Sequence, residues 1–146
     1  MKKRFFLFLA AMLVFVGCSD DNNETAMYWK IINVTVDYRD WKPYADTDGL
    51  NPYYMCEKAV PEIDRELYRN GNVFAYLVQN PGQSYEVQTP LNCSIPREDF
   101  VGNEWFTWTE HYSFDFMPGS VAFYVRYSDF ADAQPPTQVF RIVLNY

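Results

Sequence analysis

Apolar and polar residues alternate along much of this chain with a period of two, the signature of strands with one buried face. The clearest case runs from Trp105 to Phe116. There Phe106, Trp108, Tyr112, Phe114 and Phe116 fall on one face, and Thr107, Thr109, His111, Ser113 and Asp115 on the other. Pro118-Gly119 turns the chain into a second alternating run, Val121, Phe123, Val125 and Tyr127, so the two segments are expected to form a hairpin. A last strand over 138–146 buries Phe140, Ile142 and Leu144. A first one over 27–38 aligns Tyr28, Ile32, Val34, Val36 and Tyr38 on one side, with Trp29 and Ile31 on the other. Further strands are expected over 53–60 and 72–79, the latter apolar on both faces as a central strand would be. One or two short strands over 84–95 are interrupted by Pro90.

The period turns helical once, over 61–69. Pro61 suits a first helical position, Glu62 and Asp64 suit the positive end of the helix dipole, Ile63 and Leu67 form a buried stripe, and Gly71 suits the exit. Residues 39–52 form a polar loop that is long for a compact domain. About seven strands with one short helix specify an all-β fold, an antiparallel two-sheet β-sandwich, although a small barrel fits the same pattern. Residues 27–146 read as a single domain.

Ahead of that domain the pattern is of another kind. Lys2, Lys3 and Arg4 precede an unbroken apolar run from Phe5 to Val16, then Gly17-Cys18, the layout of a secretory signal. A helix of that length rises only about 18 Å, too short for a hydrocarbon core of roughly 30 Å. The small residue before Cys18 resembles a lipobox, with Phe15 where the pattern usually has Leu. That resemblance implies that residues 1–17 are a lipoprotein signal peptide and that Cys18 becomes the lipidated first residue. Ser19-Asp20-Asp21 resembles the acidic export tag of Bacteroidetes-type surface lipoproteins, which implies an outer-membrane protein, lipid-anchored and facing the cell exterior. Residues 18–26 are then a flexible tether whose eight residues after Cys18 span about 16 Å root mean square.

Loss of residues 1–17 leaves nine basic residues against nineteen acidic ones, a net charge of −10. That balance argues against a nucleic-acid partner, because phosphate neutralisation needs clustered Lys and Arg. The expected partners are the membrane, through the N-terminal lipid, and a protein or glycan. The 12 Tyr and 4 Trp suit half-buried strand faces. Cys56 and Cys93 remain once Cys18 is lipidated. In an exported protein they form a disulfide or stay as two buried thiols, and spacing alone leaves both readings open.

Chemistry is sparse in the sequence. His111 is the single histidine and sits on the polar face of its strand. Asp46, Asp48, Gly49 and Asn51, with Asp40 nearby, have oxygen ligands of the kind calcium takes but lack EF-hand spacing and the final Glu, and turn formation explains the same residues. Glu62, Asp64 and Glu66 read as an acidic helix start. Trp41 and Tyr44 in the long loop, and Trp105 on a polar strand face, are the candidates for an exposed binding surface, since flat rings beside carboxylates stack on sugars. Phe130 shares that character. No cofactor, no metal and no enzymatic activity are expected.

Tyr53-Tyr54, Val60-Pro61-Glu62-Ile63, Gly71 to Leu77, Pro90-Leu91 and Pro118-Gly119-Ser120 together resemble a group of small uncharacterised Bacteroidetes-type surface lipoproteins. The resemblance covers about two thirds of the chain. It implies a lipid-anchored β-sandwich and no particular reaction. The expectation is a non-enzymatic envelope module with a binding or structural role, or, alternatively, a glycan-binding accessory lipoprotein using exposed aromatics.

Overall fold

Alternation becomes two antiparallel sheets. The computed structural model describes residues 28–131 and 133–146, so the expected signal segment 1–17, Cys18 and the tether 18–26 lie outside the described residues. The strands are β1 (Trp29–Val36), β2 (Lys42–Tyr44), β3 (Tyr53–Val60), β4 (Asn72–Gln79), β5 (Val87–Pro90), β6 (Cys93–Val101), β7 (Glu104–Met117), β8 (Gly119–Tyr127) and β9 (Gln138–Asn145), with helix α1 at Arg65–Asn70. One sheet has the order β1-β9-β4-β5 and the other β2-β3-β8-β7-β6. Both sheets are open at their edges, so the arrangement is sandwich-like rather than a closed barrel.

The nine strands exceed the seven or so expected, for two local reasons. Within the polar loop, Lys42–Tyr44 pairs with β3 as an edge strand, where Pro43 is tolerated because only one side needs ladder bonds. Prolines 90 and 96 likewise sit on the edge strands β5 and β6, so the 84–95 region divides into two strands assigned to different sheets. β6 runs on to Val101 because β7 is long enough to pair with it from Cys93↔Tyr112 to Val101↔Glu104. Gly102 and Asn103 close that hairpin with φ of 60° and 72°, the positive values a two-residue type I′ turn requires at both positions.

The helix also begins later than its composition suggests. Asp64 is the N-cap, its side chain accepting the Leu67 backbone N–H at 2.8 Å. Pro61 and Glu62 stay in a turn, and Glu62 pairs with Lys30 of β1 at 2.8 Å. β3 and β4 occupy the residues expected of them, and Leu67, Val121, Phe123, Val125, Phe140, Ile142 and Leu144 are all buried. Tyr28 and Tyr38 fall outside β1 and are exposed, leaving Ile32, Val34 and Val36 as its inward face.

Phe123 of β8 and Phe140 of β9 stack at 4.1 Å with 12° between their planes and tie the two sheets together. Burying a ring of this size contributes about 2–3 kcal/mol. The core residues come from both sheets and from α1, which caps one part of the space between them.

Candidate functional site

The outer face of the five-stranded sheet gathers the polar and aromatic residues that alternation turns away from the core. Tyr44 pairs with Tyr53, Arg126 with His111 and His111 with Ser94, and Tyr53, next to the Tyr54–Val125 pair, lies beside Arg126. The result is one row, Tyr44–Tyr53–Arg126–His111–Ser94, running across all five strands. Its members touch. The Tyr44 and Tyr53 rings stack at 5.7 Å, and the Arg126 guanidinium carbon is 5.8 Å from the Tyr53 ring centroid. Ser94 Oγ and His111 Nδ1 are 2.8 Å apart, a hydrogen bond whose direction depends on the ring's tautomer.

A second row lies alongside. Tyr124 tilts toward Tyr53 at 6.1 Å, and its phenol is held protonated above its usual range by partial burial and then by the charge and hydrogen bond of Asp115. Together Asp46, Tyr53, His111, Ser113, Asp115, Tyr124 and Arg126 line a shallow concavity of about 640 Å3. This surface offers ring faces, one guanidinium, the Asp46 and Asp115 carboxylates and several hydroxyls around one concavity. Among the described residues, no carboxylate is hydrogen-bonded to the Ser94–His111 pair. Asp115 of β7 and Glu98, paired with Thr107 on β6, are each four positions from His111 along the strands, roughly 13 Å away.

The structure distributes the sequence-chosen aromatics unevenly. Tyr44 stands in the row. Trp105 is also on the outer face and 66% exposed, but it sits near the β6–β7 turn, six positions and roughly 20 Å along the strand from His111, packed at 5.0 Å against Phe100. Trp41 is a correction. It is 2% exposed, its Nε1 donates to the Pro136 carbonyl at 3.2 Å, and its ring meets Phe140 edge-on at 6.3 Å. A flat ring in a polar loop folded back onto the core because Phe140 supplied an apolar neighbour and the Pro136 carbonyl an acceptor. Phe130 is exposed in its loop.

No family model, curated protein or solved structure matches this chain. Its residues must therefore speak for its chemistry.

The disulfide reading of Cys56 and Cys93 is likewise corrected. They lie on β3 and β6 of the same sheet, separated by β8 and β7, so three strand spacings put their backbones roughly 14 Å apart, beyond the ~7 Å a disulfide can bridge. Both are free thiols facing the core side, and burial raises the pKa of each. The aspartates of the long loop serve a turn. Asp48 accepts the Leu50 N–H at 2.9 Å, Asp46 accepts from Asn51 at 2.7 Å, and Gly49 takes φ of 79°. Asp40 is bound elsewhere, to Lys58 at 2.6 Å, and that contact holds its carboxyl below the usual range. Glu66 accepts from Asn70 within α1 at 2.6 Å.

Sequence reading missed Tyr53, Tyr124 and Arg126 as surface groups, and it missed Glu110 altogether. Glu110 lies on the inward face of β7 between Trp108 and Tyr112, so a lone acid in an apolar register was the available signal. Buried, it accepts from Arg97 Nε at 2.9 Å and from the Tyr112 hydroxyl at 3.0 Å, while Gln138 donates to that hydroxyl at 3.1 Å. Beside it opens a cleft of about 460 Å3 lined by residues such as Phe106, Trp108, Tyr127 and Pro136.

Burial, and next the charge of Glu110, push the Tyr127 phenol up to about 12 and the Tyr112 phenol higher still. Tyrosine in an unfolded chain loses its proton near pH 10. A folded pKa raised above the unfolded one means that the native state binds the extra protons, so this stability is complete below pH 10 and is lost as pH climbs through about 12. The thermal midpoint is expected to drop across that interval, and to drop less steeply in Tyr112→Phe. A wild-type midpoint that stays level from pH 10 to 12 would contradict the burial of these phenols.

Proposed function

We propose that this chain is a lipid-anchored surface lipoprotein of the Bacteroidetes type, held by Cys18 on the outer membrane, whose domain is a non-enzymatic module that binds glycan. The anchor half of this reading is supported by the basic, apolar and Gly-Cys succession of residues 2–18. The glycan half is supported by one observation, the row Tyr44–Tyr53–Arg126–His111–Ser94 across the open face of a five-stranded sheet. Stacked rings match the flat apolar faces of pyranose sugars. A guanidinium, hydroxyls and the Asp115 carboxylate beside them match sugar hydroxyls, which both donate and accept. An open, shallow shape admits a chain rather than enclosing a small molecule.

A glycan array probed with the detergent-solubilised full chain tests this. Wild type is expected to bind a restricted set of glycans, and Tyr53→Ala or Arg126→Ala to weaken binding by about 2 kcal/mol, roughly thirtyfold. If wild type retains no glycan, the sugar reading is lost.

A second reading has its own observation. At the far end of the β6–β7 hairpin, Phe100 and Trp105 on its outer side and Val101 and Phe106 on its inner side are each more than half exposed, an apolar tip that suits a protein partner in an envelope assembly. Co-purification from envelope extract that Trp105→Ala abolishes and Tyr53→Ala spares would favour this partner role.

A further inference from the structure

The opposite face of the sandwich, the outer side of the four-stranded sheet, has a different chemistry. Pairing of Ile31 with Val143 and of Val143 with Phe74 makes one cross-strand row apolar from end to end, and Trp29 stands beside it at the start of β1. Trp29 is 56% exposed, Ile31 62% and Phe74 45%. Among the described residues, no outward side chain of these four strands is a carboxylate, in a chain with nineteen Asp and Glu. Arg141 is the one charged group on the face, donating to Asn33 at 3.0 Å and lying 4.0 Å from Glu86 at the rim.

The place of this face in the chain matters as much as its composition. Trp29 opens the first strand, and only ten residues separate it from Cys18, a covalent reach of at most about 36 Å. Whatever Cys18 is attached to is therefore delivered to this end of this sheet. At the same end the rings of Tyr28 and Tyr146 lie 5.1 Å apart. Trp and Tyr are the side chains that favour the boundary between headgroups and acyl chains. Of the two sheet faces, this carboxylate-free one is repelled least by an anionic leaflet, whereas the other presents Glu57, Glu98 and Asp115.

We propose that this face rests on the lipid surface, with Trp29, Ile31 and Phe74 entering the interface. The inference depends on lipid anchoring at Cys18, and it turns the Tyr53–Arg126 face away from the membrane, toward arriving glycan.

The test uses the full lipidated chain reconstituted in phosphatidylcholine vesicles whose acyl chains carry bromine, a contact quencher of tryptophan. Emission of the wild type is expected to fall relative to unbrominated vesicles. Most of that fall is expected to vanish in Trp29→Phe and to persist in Trp105→Phe. Flotation of the same samples reads the anchor separately. A wild-type chain that does not float with the vesicles overturns the anchor and this inference together. A chain that floats while wild type and Trp29→Phe are quenched equally, or not at all, overturns the membrane-facing sheet alone. Cross-linking of Ile31→Cys to a second copy on unquenched vesicles would assign the face to a dimer and reject the proposal.

Discussion

Trp41→Ala is expected to lower the free energy of unfolding by about 3–5 kcal/mol, against a typical domain stability of roughly 5–15 kcal/mol. The indole is almost wholly enclosed, its edge packs on Phe140, and Phe140 in turn stacks on Phe123 at the junction of the two sheets. Truncation leaves a cavity at that junction and strips the Pro136 carbonyl of its donor. Trp41→Phe keeps most of the packing and loses the N–H, so a smaller loss of about 1–2 kcal/mol is expected. Urea unfolding followed by far-ultraviolet circular dichroism measures both. A loss below about 1 kcal/mol for Trp41→Ala would mean that the ring does not fill the core, and Trp41 would return to the surface role its loop position suggests.

The second large effect concerns Glu110. Glu110→Leu is expected to destabilise by about 3 kcal/mol, because the buried Tyr112 hydroxyl then has no acceptor and the Arg97 guanidinium loses its counter-charge. Arg97 is partly exposed and can turn to water, which keeps the loss below that of a fully buried pair broken in half. Glu110→Gln retains an acceptor for Tyr112 and is expected to lose less. The same denaturation experiment, run as a cycle with Tyr112→Phe, separates the shared hydrogen bond from the rest. Additive single and double losses would show that Glu110 and Tyr112 do not bond. The two variants also bear on the proposed glycan face: neither residue points toward it, so any glycan binding of the wild type is expected to persist in whatever fraction remains folded.

How far the chain can be read locally differs between these cases. β3 and β4 were legible to the residue, because each is an alternating or doubly apolar run bounded by turn residues. The hairpin around Pro118-Gly119 was legible for the same reason. β2 was not, since a three-residue edge strand containing Pro43 carries no periodicity and exists only because β3 offers it a partner. Trp41 was misread on similar grounds. Its loop is polar, and the ring and acceptor that receive it, Phe140 and the Pro136 carbonyl, lie near the other end of the chain. Of the outer-face row, Tyr44 was legible as an exposed aromatic, whereas Arg126 looked like any solvated residue of β8 until His111 and Tyr53 came to flank it.

By itself the amino-acid order determined that strands dominate, which apolar residues of most strands face inward, where α1 falls to within a turn, and how acidic residues 18–146 are. These are local properties: a strand alternates its side chains whatever lies beside it, and charge is a sum over residues. Tertiary structure alone decided that β9 lies between β1 and β4, and β8 between β3 and β7. Strand neighbours are chosen by packing across the whole core, between segments far apart in the chain, and no short window records that choice. The row Tyr44–Tyr53–Arg126–His111–Ser94, the separation of Cys56 from Cys93 and the carboxylate-free opposite face all follow from it.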